Sequence, residues 1–117
     1  MKEFVLLFRM DITNEEAQPT KKQMETYMQQ WLSWINEIAV NDQLADGGNH
    51  FSRQGRVLKS NNEVVETPHI ADNNSIAGYI IVLAENLDEA SKIPKRCPIL
   101  NGQNTSVEIR ETATTGK

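Results

Sequence analysis

The sequence predicts an α+β fold of the ferredoxin-like kind: an antiparallel sheet with two helices on one face. Three observations carry this. Two apolar runs, "FVLLF" at 4–8 and "GYIIVLA" at 78–84, read as buried strands. Between them lies one long helical stripe built around two tryptophans. The segments follow in the order strand, helix, hairpin, strand, helix, strand, which is two strand–helix–strand halves around one sheet. A chain of 117 residues supports one small domain, expected over 1–112, with a frayed tail at 113–117.

The first strand, 3–10, places Val5, Leu6, Leu7 and Phe8 in a row and so predicts burial on both faces. "DITNEEAQPT" (11–20) then supplies turn and capping residues. Thr20 is the expected N-cap of the long helix, with Gln23 completing a capping box. Met24, Met28, Trp31, Ile35 and Ile38 follow at helical spacing, widened by Tyr27, Leu32 and Trp34, and predict a helix over about 21–40. "NDQLADGGNHFSRQGR" (41–56) is rich in Gly, Asn and Asp and reads as loop.

"RVLKS" and "EVVET" are two short β-prone runs around Asn61 and Asn62, residues that tolerate a tight hairpin turn. The polar stretch from Thr67 to Asn74 leads into the strand from Gly78 to Ala84, which lacks alternation and is expected to be central. Asn86 caps a short helix with Glu89 as its reciprocal partner, and Leu87, Ala90 and Ile93 form the buried stripe. Pro94 removes a backbone donor, so that helix must kink or end early. The last strand, "SVEIRE", turns Val107 and Ile109 inward.

Composition narrows the function. A formal net charge of −4 with scattered Lys and Arg argues against a nucleic-acid partner. The dense spot "KIPKR" faces Glu85, Asp88 and Glu89 and reads as a solvated helix face. The longest apolar run is too short for a secretory core or a bilayer span, and the lone Cys97 allows no internal disulfide, so no membrane partner and a cytoplasmic setting are expected. "DGG" at 46–48 lacks the following Lys and helix of a phosphate loop, and no cofactor is expected. Two helices cover only one face of a sheet whose strands look dry on both. A second copy of the chain is the simplest cover, which predicts a homodimer.

Six segments in order, "WLSWINEI", "LADGGN", "GRVLK", "TPHIAD", "AGYIIVLAENLDEA" and "RCPIL", followed by "VEIRE", resemble the YCII-related domain family in its DGPF-motif branch. The resemblance runs from Phe4 to Glu111. It implies a dimeric α/β barrel, two ferredoxin-like sheets face to face, with a cleft near the interface. In the signature loop, "TPHI" stands where the family has DGPF, with Thr67 at the Asp position and His69 at the Pro position. The long helix has no histidine to match the His–Asp pair suggested for the wider family.

Two candidate chemistries remain. His69 and Asp72, three positions apart, can form a dyad in which the carboxylate orients a basic imidazole. The competing reading makes Asp72 the start of an Asx-turn and His69 a loop-surface residue. A metal site from His50, His69 and a carboxylate lacks the closely spaced ligand pairs of structural zinc, and none is expected. Cys97, before Pro98 at a helix C-terminus, reads as a buried small residue rather than a nucleophile. Trp34, His50, His69 and Tyr79 are the candidate lining of the cleft. The function expected is small-molecule binding at a homodimer interface; the alternative is a small-molecule enzyme using His69 and Asp72.

Overall fold

The structure, a computed structural model, describes residues 1–13 and 19–113. Part of the 11–20 turn segment and most of the expected tail fall outside those residues. The main sheet holds β1 (Lys2–Met10), β2 (Leu44–His50), β5 (Ser75–Ala84) and β6 (Ser106–Glu111) in the order β2-β5-β1-β6. Every pairing is antiparallel. With the small hairpin of β3 (Val57–Leu58) and β4 (Val64–Val65) set aside, this is the ferredoxin-like order. The predicted class therefore holds.

Helix α1 runs Lys21–Val40, within the range the apolar spacing predicts. Thr20 accepts from the Gln23 amide at 3.1 Å, and the Gln23 side chain accepts from the Thr20 amide at 2.8 Å. Both halves of the capping box are made, which satisfies donors the first turn leaves free. The helix phase differs from the expected stripe by part of a turn. Trp31, Trp34 and Ile38 are buried, Ile35 is half-buried, and Met24 and Leu32 are exposed. Trp34 tolerates burial because its indole N–H donates to the Ile93 carbonyl at 3.3 Å.

Along β1 the chain alternates. Phe4, Leu6 and Phe8 are buried under the helices, whereas Val5 and Leu7 on the opposite face are only half-buried. The same holds in β5, where Ile80, Val82 and Ala84 are buried and Tyr79, Ile81 and Leu83 are half-buried. An unbroken apolar run predicts two dry faces. Within one chain only the helix-side face is dry, because both helices pack there.

The Gly-rich segment expected as loop contains β2. Its pairing with β5 has two register shifts, and it follows β5 closely where Gly48 and Gly78 allow the backbones to approach. The "DGG" turn is thus part of an edge strand. The hairpin forms as expected: Val57 pairs with Val65, and Asn62 takes a positive φ of 67°.

Helix α2 spans Leu87–Ala90 and stops before Pro94, which sits in a 3₁₀ turn at Ile93–Arg96. A second 3₁₀ turn, Pro98–Asn101, leads to β6. The Asn86 side chain accepts from the Glu89 amide, but the Glu89 carboxylate is held by Lys92 at 3.0 Å rather than folding back. Leu87, expected in the stripe, is exposed; Ala90 carries the burial. In β6, Val107 and Ile109 pack against the core as predicted.

Candidate functional site

The loop before β5 is ordered by its backbone. Ala71 and Asn74 exchange both hydrogen bonds, at 2.9 and 3.0 Å, around Asp72 and Asn73. Those two residues have φ of 53° and 65°, the signature of a type I′ turn. Asp and Asn enter this left-handed region more easily than other non-Gly residues, so the pair fits. The Asn104 side chain donates to the Asp72 carbonyl at 3.2 Å, and the buried Ser75 hydroxyl donates to the His69 carbonyl at 2.6 Å. Asp72 is therefore a turn residue, and of a different turn from the Asx-type expected.

His69 is exposed, and no hydrogen bond or ion pair joins its side chain to Asp72 among the described residues. The bonds that order this loop run through the His69 and Asp72 carbonyls.

The four cleft candidates are divided by the sheet. His50 pairs with Gly78 and lies on the helix side, its ring edge-on to Trp31 at 4.8 Å. Partial burial there lowers its pKa, although the side chain keeps contact with solvent. Trp31 in turn meets Phe8 at 4.8 Å, Trp34 at 5.2 Å and Tyr27 at 6.0 Å, so His50 ends an aromatic row. Trp34 belongs to this core and also lines an open groove of about 400 Å³ between α1 and the 3₁₀ turns, with Gln29, Ser33, Glu37, Arg96 and Asn101. Arg96 and Glu37 pair across it at 3.5 Å.

Tyr79 lies on the other side of the sheet. One row across that face reads Asn49, Tyr79, Leu7, Glu108, and the next reads Asp46, Ile81, Val5, Arg110. The Phe51 ring stands 6.0 Å from Tyr79. At the β6 side, Arg9 donates to Glu108 at 3.2 Å and Arg110 donates to the other carboxylate oxygen at 3.3 Å. These bonds, the one from Arg9 first, hold the Glu108 carboxyl below its usual range. Residues 4–8 and 79–83 are fully apolar in sequence, so the charged border that Arg9, Glu108 and Arg110 give this face was not visible there.

Cys97 links the two 3₁₀ turns and is buried. Burial pushes its thiol up to about 12, outweighing a hydrogen bond with the Ile99 backbone that acts the other way. Such a thiol stays protonated and is a poor nucleophile. Its neighbour Tyr27 is raised to about 12, by burial first and by Cys97 second. Among the described residues no three His, Cys, Asp or Glu side chains group as metal ligands, and no helix is long and apolar enough to cross a membrane.

Fold and surface together define an α+β domain of ferredoxin-like topology with one covered and one open sheet face. Compared with known families and with curated proteins, the chain matches no family model and no curated protein.

Proposed function

We propose that the chain is a YCII-related protein that binds a small molecule in a cleft formed when two copies pack their open sheet faces together. The observation that carries this reading is the open face. Val5, Leu7, Ile76, Tyr79, Ile81 and Leu83 are half-buried on it, and neither helix covers them. Leaving apolar surface in water costs about 25 cal/mol per Å², and soluble monomers rarely expose patches beyond a few hundred Å². Pairing two such faces yields the dimeric α/β barrel and buries on the order of 2,000 Å² in total.

The shape supports the same reading. The molecule is a plate of 41 × 40 × 19 Å, and its radius of gyration is 15.5 Å. A compact chain of this length has roughly 13 Å. A slab one helix layer and one sheet thick is half of a barrel.

Within the paired faces, Tyr79, Phe51 and Asn49 offer two rings and an amide at the β2 border. Those groups can stack on and hydrogen-bond a flat, partly polar ligand, but they include no general base. Binding is therefore favoured over catalysis. The His69/Asp72 enzyme reading gains no support from a hydrogen bond or ion pair between the two side chains among the described residues.

Light scattering at micromolar concentration tests the assembly. Native chain should sediment and scatter as more than one copy, with a melting temperature that rises with concentration. Leu7→Glu, which puts a charge at the centre of the open face, should lower the copy number. A well-folded native monomer would overturn the reading.

A further inference from the structure

The sheet has two edges, and they are treated differently. On the β2 edge, register shifts and glycines disrupt the strand, which is how sheets discourage addition of a further strand. The β6 edge has neither a register shift nor a glycine, and the charges it carries are of both signs. Its pairing with β1 is regular over Ser106–Arg9 to Glu111–Phe4, and among the described residues no strand lies on its outer side.

The hydrogen-bond alternation identifies which groups face out. The Thr112 amide donates to the Glu3 carbonyl at 3.1 Å, so residues 112, 110, 108 and 106 direct their backbone groups toward β1. Val107, Ile109 and Glu111 therefore present theirs to the outside. These are the groups a neighbouring strand would bond.

The strand is also complementary to itself. Antiparallel pairing about a two-fold axis at Ile109 sets Ile109 against the partner's Ile109 as a hydrogen-bonded pair. The same register sets Glu108 against the partner's Arg110, and Arg110 against the partner's Glu108. Both fall at non-hydrogen-bonded positions, where facing side chains stand closest. Moving the two-fold axis to Glu108, a slide of two residues, would oppose Glu108 with itself. Each Glu108 is already charged and held by Arg9, and Arg110 is largely exposed with room to turn toward a partner. Beside this edge, the segments that touch β6 carry two exposed leucines, Leu87 and Leu100.

We infer that β6 is a second self-association surface, pairing edge to edge with β6 of another copy and extending the sheet from four strands to eight. It uses the outer backbone edge of β6, whereas the face-to-face packing proposed above uses the apolar centre of the open face; the two surfaces adjoin at Glu108 and Arg110. If both operate, the chain forms a tetramer, a closed dimer of dimers.

Two substitutions separate the contacts. Arg110→Glu sets like charges opposite each other at the edge and alters the open face only at its charged β6 border; Leu7→Glu charges the centre of that face and leaves the outward backbone groups of β6 unchanged. Circular dichroism confirms that each variant is folded. With both contacts present, native chain is tetrameric and each variant is dimeric. If Arg110→Glu is monomeric while Leu7→Glu remains dimeric, the edge contact stands and the face-to-face reading fails. If Arg110→Glu has the native copy number, the edge contact is overturned and the face-to-face reading is untouched. A native monomer overturns both.

Hydrogen exchange gives a readout independent of stoichiometry. The Val107, Ile109 and Glu111 amides should be protected in native protein and exchange at least about tenfold faster in Arg110→Glu, while Glu108 and Arg110 or its replacement stay protected by β1. Free exchange at those three amides in native protein, whether the edge is idle or reserved for some other protein's strand, overturns the inference. Reversing all three charges, with Arg9→Glu, Glu108→Arg and Arg110→Glu together, should restore both the copy number and the protection.

Discussion

Gly48 passes so close to Tyr79 that a Cβ at position 48 would stand 1.7 Å from the Tyr79 carbonyl oxygen. Its φ of 63° is also one that side chains rarely adopt. Gly48→Ala should therefore destabilise by on the order of 3 kcal/mol, from strain and the displaced backbone. Gly47→Ala, with nothing within 4 Å of the added carbon, should change stability by less than about 0.5 kcal/mol. Urea melts of the two variants check the contrast, and equal midpoints would mean that β2 does not follow β5 as described.

The helix phase makes a second prediction. Trp34→Ala and Trp31→Ala should each cost about 3–5 kcal/mol, because both rings are buried among aromatic neighbours. Leu32→Ala, at 63% exposure, should be within about 0.5 kcal/mol of native. A Leu32 variant as unstable as the Trp34 variant would place the wrong face of α1 on the sheet.

The type I′ turn predicts a stabilising change. Asn73→Gly creates the Asp-Gly pair that this turn prefers and relieves a φ of 65°. The gain should be about 0.5–1 kcal/mol. Asn73→Val should be destabilising, since a β-branched residue resists positive φ. Thermal melts that rank the two variants in the opposite order would contradict the turn.

Stability should fall at both ends of the pH range. Cys97 and Tyr27 have folded pKa values raised from 9.0 and 10.0 to about 12. Folding favours their neutral forms, so this contribution is fully present below the ordinary values and is lost as pH rises through the folded ones. Melting temperature should therefore drop from about pH 9 upward, and Cys97→Ala should flatten the first part of that drop. His50 is the opposite case. Its folded pKa lies below the ordinary 6.5, so its contribution is present above 6.5 and is lost as pH falls through the folded value. His50→Phe should flatten that acid limb. Unchanged limbs would show that burial does not set these pKa values.

Much of the local structure could be read from short stretches of the chain. Thr20 and Gln23 fixed the start of α1 because a capping box is made from residues three apart. Pro94 ended the short helix because its missing amide is a property of the residue itself. The hairpin at 57–65 followed from asparagines that accept a left-handed turn. Each of these depends on covalent geometry and near neighbours, which sequence shows directly. Tertiary contacts decided the rest. "LADGGNH" has little strand propensity, yet it pairs because β5 offers a row of unpaired backbone groups and Gly78 lets it approach. Trp34 rather than Met24 became core because the helix turned its phase to the sheet, an orientation that periodicity alone leaves free by part of a turn. His69 and Asp72 are neighbours in sequence but share no side-chain hydrogen bond or ion pair, and two successive positive φ angles make Asp72 part of the chain reversal. Likewise His50 and Tyr79 fall on opposite sides of one sheet. Spacing along a strand sets alternation, but only the register against β5 and β1 decides which side faces the helices and which faces outward.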